Sequence, residues 1–165
     1  MTSTKVDIIL IRISEQRLYL LDEKDQVLID YPVSTSLYGS GNQKDSYKTP
    51  LGLHCIKEKI GDGCPENEVF IGRKPQGVLD DLIANNVGLS EDIITSRILW
   101  LEGLQPGVNQ GGDVDTCERH IYIHGTPDEE SIGYPASHGC IRMNNQHVID
   151  LYDRVETGCA VNIID

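Results

Sequence analysis

The stretch Val6-Asp7-Ile8-Ile9-Leu10-Ile11-Arg12-Ile13 indicates the fold class of this chain. It is apolar on both faces at its centre, which predicts a strand buried on both sides. A polar turn at 14–16 leads into the apolar run 17–21, and a second polar turn leads into 27–31. Short β-rich runs joined by polar turns are typical of an antiparallel meander within a sandwich or barrel. The chain is therefore predicted to be mainly β, with a few short helices.

Three segments further along have helical patterns. Residues 78–86 and 90–97 are each predicted to form a short helix, the second with Ser90 as its N-cap. The clearest helix is in the tail, where apolar residues recur at helical spacing and Asn144 or Asn145 precedes them as a cap. Gly158 is predicted to end this helix; its apolar positions are Val148, Leu151, Tyr152 and Val155.

Composition predicts one soluble domain spanning residues 1–165. Lys and Arg number 14 against 26 Asp and Glu, so the net charge of -12 disfavours nucleic acid and anionic lipid surfaces as partners. No apolar run approaches the roughly 20 residues that a membrane span needs. The glycine-containing segment 105–115 is predicted to be a mobile loop inside the domain rather than a linker.

The amino terminus and the cysteines bear on the compartment. No basic segment, apolar stretch and cleavage site occur in succession near Met1, which favours a cytoplasmic protein. A periplasmic chain from which the signal had been removed would look the same. An odd number of irregularly spaced cysteines favours free thiols in a reducing compartment; they are Cys55, Cys64, Cys117, Cys140 and Cys159.

The chemistry is concentrated in His124 and in the run Ser137-His138-Gly139-Cys140, whose thiol follows the histidine by sixteen positions. A cysteine acyl-transfer enzyme needs a thiolate nucleophile and an imidazole that takes and returns a proton. Gly139 allows a sharp turn with amide N–H groups free for an oxyanion, and Ser137 can brace that turn. A helix beginning soon after Cys140 would modestly favour the thiolate.

Two segments carry a resemblance to a known family: Ile121-Tyr122-Ile123-His124-Gly125-Thr126, and Ile132-Gly133-Tyr134-Pro135-Ala136-Ser137-His138-Gly139-Cys140-Ile141-Arg142-Met143-Asn144. Together they resemble the active-site signature of the L,D-transpeptidase (YkuD) catalytic domain. The first third, with the turn Thr49-Pro50-Leu51-Gly52, resembles the same family's opening meander. The resemblance is weakest over 61–115, and it departs at Cys159-Ala160, where Thr-Pro is expected.

The resemblance implies the β-rich L,D-transpeptidase fold, no cofactor, and attack on peptidoglycan stem peptides at the bond between a diamino acid and D-alanine. It implies that Cys140 is the nucleophile, that His124 is the base, and that the Gly125 carbonyl orients the imidazole. Backbone N–H groups of His138, Gly139 and Cys140 would form the oxyanion hole. His138 is expected to hold the turn rather than to compete as the base. Residues assigned to substrate binding are Arg142, which could instead brace a loop, Ser137 and Tyr122.

The acyl acceptor distinguishes three hypotheses. Water as the acceptor gives an L,D-carboxypeptidase that releases D-alanine from muropeptides, which is favoured for a cytoplasmic chain. A second amine gives an L,D-transpeptidase that forms cross-links, and a sensor on the same fold would bind muropeptide without turnover. A zinc site is a further alternative, but His120 and His124 are expected to lie about 13 Å apart on a strand. This separation argues against one zinc ion binding both histidines.

Overall fold

The computed structural model describes residues 5–90 and 92–165, and within them the strands join in one mixed sheet of ten. The mainly β prediction is confirmed. The strands are β1 Ile8–Arg12, β2 Arg17–Leu21, β3 Val27–Pro32, β4 Gly52–Ile60, β5 Glu68–Ile71, β6 Lys74–Val78, β7 Ile94–Gly103, β8 Tyr122–Gly125, β9 Ile141–Met143 and β10 Ala160–Ile164. The α-helices are α1 Leu79–Ala84 and α2 Asn145–Arg154.

The sheet runs in the order β3-β2-β1-β10-β4-β7-β5-β6, and β8 branches from β7 to pair with β9. The predicted meander of β1, β2 and β3 is antiparallel, as expected. Two pairs are parallel, β1 with β10 and β8 with β9. The predicted burial of β1 on both faces is wrong: Ile9 and Ile11 are fully buried, whereas Ile8 and Leu10 on the other face are only half-buried.

Helix α2 covers one face of the sheet beside β7 and β8. Its apolar side chains Val148, Leu151 and Tyr152 are buried in the main core with Ile123 and Ile141. The tail-helix prediction is confirmed, with Asn144 as the N-cap, since its side chain accepts the Gln146 N–H at 3.0 Å. The helix ends at Arg154, earlier than the predicted stop near Gly158. Neither α-helix in the described part of the chain has the length and apolarity to cross a membrane.

The middle of the chain contains one confirmed helix and one wrong prediction. The helix predicted at 78–86 is present as α1. The helix predicted at 90–97 is absent from the described residues of that segment, because β7 begins at Ile94. Thr95 lies between two partner strands, opposite Val69 of β5 and Gly125 of β8. Pairing on both sides outweighs the local N-cap signal at Ser90.

The loop at 105–115, predicted to be mobile, is anchored by a buried side chain. Asn109 is fully buried, and its amide nitrogen donates to the carbonyl oxygens of Leu53 at 2.9 Å and Leu51 at 3.2 Å. The Gln105 side chain accepts the Leu53 N–H at 2.8 Å. These bonds tie the loop to the first residues of β4.

Candidate active site

The parallel pairing of β8 and β9 brings the two halves of the sequence motif together. His124 lies opposite Arg142, and Ile123 lies opposite Ile141. One residue further back, Cys140 lies beside Tyr122, whose backbone N–H donates to Cys140 Sγ at 3.4 Å. The two isoleucines enter the core, so His124 and Cys140 share the opposite face as diagonal neighbours. With strands about 4.8 Å apart and a rise of about 3.3 Å per residue, the Cα atoms of such neighbours are roughly 8 Å apart.

The protonation of His124 follows from a single contact. Its Nδ1 lies 2.6 Å from the carbonyl oxygen of Gly125, and the ring is buried. A carbonyl oxygen only accepts hydrogen bonds, so Nδ1 carries the hydrogen and, in the neutral ring, Nε2 keeps its lone pair. Burial lowers the pKa of His124, although the Gly125 contact raises it in part. The neutral imidazole is therefore equipped to accept a proton through Nε2.

Cys140 is a protonated thiol in this environment. Burial raises the pKa of Cys140 to about 12, and the N–H bond from Tyr122 offsets only part of that effect. The residue still keeps partial solvent exposure, so the sulfur is reachable. The predicted helix effect on the thiolate does not prevail, because β9 stands between Cys140 and the start of α2. The site at rest thus combines a neutral thiol with a neutral imidazole.

Ser137 braces the turn before the thiol. Its hydroxyl donates to the Cys140 carbonyl oxygen at 2.6 Å and accepts the Gly139 N–H at 3.3 Å. Thr49, which sequence reasoning had not assigned to the site, adds a bond from its hydroxyl to the Gly139 carbonyl oxygen at 2.9 Å. Gly139 has φ 127, a conformation that side chains rarely adopt. Ser137 is fully buried, and its predicted role in substrate binding stays a prediction.

The turn leaves two backbone donors for an oxyanion. Gly139 N–H, one of the three predicted donors, is directed at Ser137 Oγ. The N–H groups of His138 and Cys140 have no acceptor among residues 5–90 and 92–165. Two such donors suit a negatively charged oxygen formed at a carbonyl next to the sulfur.

Arg142 is held by a carboxylate that no sequence pattern indicated. Its Nη2 lies 2.6 Å from Asp92 Oδ1, its side chain is nearly buried, and its Nε has no partner in the described part of the chain. Asp92 precedes β7, fifty residues away in sequence, so only the fold brings the two together. The pair fits the predicted loop-bracing role of Arg142 rather than a free carboxylate receptor.

His138 does not hold the turn by side-chain bonds, contrary to the prediction. Its ring is largely exposed, lies beside Tyr38 and Tyr47, and has Nδ1 3.7 Å from Asp92 Oδ2. The turn bonds described above come instead from Ser137 and Thr49. His138 therefore forms part of the entrance to the site.

Tyr122 contributes its backbone rather than its side chain. The ring is buried, packs edge-on against Trp100, and its hydroxyl accepts a bond from Arg73 Nη1 at 2.9 Å. The ring packs with Phe70 and Ile98, and the predicted role of Tyr122 in substrate binding stays a prediction.

Asn145 supports the strand end that carries His124. Its Oδ1 accepts the hydroxyls of Thr95 at 2.5 Å and Ser96 at 2.6 Å, and its Nδ2 donates to Thr126 O at 2.9 Å. A Cβ on Gly125 would lie 2.6 Å from that Oδ1, so only glycine fits there. Sequence reasoning had considered Asn145 only as a cap.

Within the described residues, no group of three His, Cys, Asp or Glu side chains is arranged to hold a metal ion. His120, considered as a zinc ligand, is exposed and packs beside Trp100 and Tyr122. The five cysteines are all free thiols.

A family model and curated proteins match the chain. Residues 6–163 match the model of the L,D-transpeptidase catalytic domain. The putative L,D-transpeptidase YqjB of Bacillus subtilis (strain 168) is 45% identical over 56 residues, covering 33% of this chain and 32% of that protein. The putative L,D-transpeptidase YkuD of the same strain is 48% identical over 46 residues, 28% of each chain. The matches therefore span about a third or less of these relatives.

Solved structures share the fold. An L,D-transpeptidase from Mycobacterium smegmatis matches with a TM-score of 0.57 at 20% identity, covering 99% of this chain and 60% of that chain. L,D-transpeptidase 3 from Mycobacterium tuberculosis, in complex with a faropenem-derived adduct, matches with a TM-score of 0.57 at 16% identity, covering 99% and 62%. At these identities the similarity concerns the fold.

Proposed function

The chain belongs to the L,D-transpeptidase catalytic domain family, and we propose that it is an L,D-carboxypeptidase. It would use Cys140 to release D-alanine from the tetrapeptide stems of soluble peptidoglycan fragments. The observation that supports this best is the shared face of β8 and β9, where the buried His124 has its hydrogen on Nδ1 and lies diagonal to the thiol.

The first half-reaction forms a thioester. As the substrate carbonyl carbon meets Cys140 Sγ, the thiol proton passes to His124 Nε2 and the carbonyl oxygen becomes negative. The N–H groups of His138 and Cys140 stabilise that oxygen, each worth about 3 kcal/mol of barrier. The C–N bond then breaks, and His124 returns its proton to the departing amine.

The second half-reaction uses water. His124 takes a proton from a water molecule, the hydroxide attacks the thioester carbonyl, and the sulfur leaves and regains its proton. The imidazole stays available for this step because burial lowers its pKa. We favour hydrolysis over transfer to an amine because water at tens of molar is the commonest acceptor.

The proposed setting is the cytoplasm, where an enzyme of this kind would meet soluble muropeptides. Five free thiols in one small domain are typical of a reducing compartment. This location underlies our preference for hydrolysis, since cross-linking requires an enzyme that reaches the assembled wall.

The proposal is tested by mass spectrometry of a tetrapeptide stem incubated with the protein, alone and with an added amine acceptor. We expect D-alanine and tripeptide as products, and we expect Cys140→Ala to abolish them. Cys159→Ala, which changes a thiol outside the site, serves as the matched control and should keep the activity.

Other outcomes would favour the alternatives. Cross-linked product without hydrolysis would make the protein an L,D-transpeptidase. Binding of muropeptide without turnover, in a protein whose Cys140 resists thiol reagents and carbapenem acylation, would make it a sensor.

A further inference from the structure

A pocket of about 310 Å³ opens next to the thiol. One wall is the segment 44–47 and the other is the segment 118–121, and His138 lies at its edge. The pocket and the surroundings of the thiol meet at His120, whose carbonyl oxygen is 3.5 Å from Cys140 Sγ. The pocket therefore offers space beside the carbonyl carbon that the thiol would attack.

Arg119 lines this pocket and lacks a negative partner in the described part of the chain. Its guanidinium is half-buried and donates to three neutral oxygens: Lys48 O at 2.5 Å, Gly41 O at 3.3 Å and Ser46 Oγ at 3.4 Å. Asp45 and Glu118 also line the pocket, but neither forms an ion pair with Arg119. A guanidinium has five N–H donors, so Nε and one hydrogen of Nη1 remain for a ligand.

The charge of Arg119 acts on the thiol. Burial lowers the pKa of Arg119, and a negative Cys140 would raise it in part. In turn, Arg119 lowers the pKa of Cys140 slightly. The two groups are thus close enough to interact electrostatically.

We propose that Arg119 binds the free α-carboxylate of the amino acid that leaves the acyl carbon when Cys140 forms the thioester. This inference rests on the proposed function and assigns its leaving-group site. In the substrate, that carboxylate carbon follows the scissile carbonyl carbon by three bonds, which span at most about 3.8 Å. A positively charged guanidinium with unused N–H donors suits a carboxylate, to which it can donate a charge-assisted hydrogen bond.

The carboxylate on the side chain of a diamino acid is a second possible source of the same chemistry. This side-chain carboxylate lies on the acyl side of the scissile bond. It stands at the end of a flexible chain several bonds longer than the link to the terminal carboxylate. The terminal carboxylate fits better, because it lies within one residue of the carbonyl that the thiol attacks, and the pocket lined by Arg119 opens beside that thiol. The enzyme would then cleave only the last residue of a stem and reject stems that continue beyond it.

The test compares kcat/KM for a tetrapeptide ending in D-alanine with that for the same peptide ending in D-alaninamide. The wild type should prefer the acid by about 10- to 100-fold, the value of a charge-assisted bond. Arg119→Gln keeps a donor for Lys48 O and should bring this ratio to within about threefold, with the amide substrate almost unaffected. Arg17→Gln, an exposed change on β2, should keep the wild-type ratio.

Two results would overturn the assignment. In the first, Arg119→Gln lowers kcat/KM for both substrates equally, which would mean that the residue only braces the segment 41–48. In the second, Arg119→Gln leaves both kcat/KM values, and so their ratio, unchanged. A third peptide with lysine in place of the carboxylate-bearing diamino acid separates the two sources. If its turnover is insensitive to Arg119→Gln, the side-chain carboxylate is the ligand instead.

A binding measurement distinguishes this inference from the proposed function. If the wild type releases no D-alanine from either peptide, the proposed function fails. The pocket is then tested by iodoacetamide labelling of Cys140. The acid peptide, but not the amide, should slow labelling of the wild type, and neither should slow labelling of Arg119→Gln; equal protection by both peptides, or none, would refute the site.

Discussion

His124 Nδ1 lies 2.6 Å from the carbonyl oxygen of Gly125, the residue next to it in sequence. This contact determines which ring nitrogen serves the chemistry, because it places the hydrogen on Nδ1. A backbone carbonyl here performs the orienting task that a carboxylate performs in a Ser-His-Asp triad. Unlike a carboxylate, it adds no full negative charge, so burial still lowers the pKa of the imidazole.

Replacing His124 should remove the proton acceptor. We expect His124→Gln to reduce kcat/KM for D-alanine release by about 10²- to 10⁴-fold, the usual contribution of general acid–base catalysis. His147→Gln, a change on α2 beside Tyr31, is the matched control and should retain activity. A His124→Gln protein with near wild-type turnover would mean that another group accepts the thiol proton.

The reactivity of Cys140 should depend steeply on pH. Because the pKa of Cys140 is raised to about 12, its thiolate fraction should grow about tenfold per pH unit from 7 to 11. Iodoacetamide labelling of Cys140, followed by peptide mapping in the absence of substrate, should rise across this range without a plateau. A plateau near neutral pH would indicate a thiolate–imidazolium pair at rest.

The fall of kcat/KM toward acid pH should also be shifted, to lower pH. The lowered pKa of His124 keeps the ring neutral, and so competent as a base, at pH values below its ordinary 6.5. We expect kcat/KM to decline only below that value as pH falls. A decline beginning above pH 6.5 would contradict a buried, neutral His124.

Asp92→Asn should loosen the site and make the thiol more acidic. Asp92 raises the pKa of Cys140, so its loss should speed labelling of Cys140 at fixed pH. The nearly buried Arg142 also loses its counter-charge. Since the Asp92 side chain is 37% exposed, water shares that charge, and we expect about 1–3 kcal/mol of lost stability.

The control for Asp92→Asn is Asp30→Asn, which breaks the exposed pair with Arg17. It should cost less than about 1 kcal/mol in urea unfolding and leave Cys140 labelling unchanged. Equal costs for the two variants would show that Arg142 does not depend on Asp92.

Asn145→Ala should destabilise the fold far more than the neighbouring change Asn144→Ala. The first removes the acceptor of the Thr95 and Ser96 hydroxyl hydrogens and the side-chain donor to the Thr126 carbonyl, an expected cost of about 2–4 kcal/mol. The second removes the helix cap at Gln146 N–H, worth about 1 kcal/mol. Urea unfolding measures both, and the reverse order would refute the role given to Asn145.

Local patterns were sufficient for elements whose partners are close in sequence. The β1–β3 meander follows from apolar runs and polar turns, and α2 follows from helical spacing and an Asn cap. The segment before β7 was misjudged because Ser90 is a good local cap signal, whereas strand pairing of Thr95 depends on Val69 and Gly125, far away in sequence.

The site residues also differ in whether local patterns indicate them. His124, Ser137 and Cys140 belong to a short motif whose residue types and spacing indicate its chemistry. Asp92 and Arg119 are brought to the site only by the packing of the fold. The sequence indicated Asn145 only as a possible helix cap. The burial of Tyr122 and Ser137 could not be predicted, because it depends on the packing around them.

The position of β10 has a consequence for how the protein is made. It stands in the middle of the sheet, pairing with β1 on one side and β4 on the other. During translation the opening meander must therefore wait until β10 has left the ribosome before the sheet becomes continuous. Contacts this distant along the chain slow folding, and the strand edges of β1 and β4 stay uncovered until β10 is available.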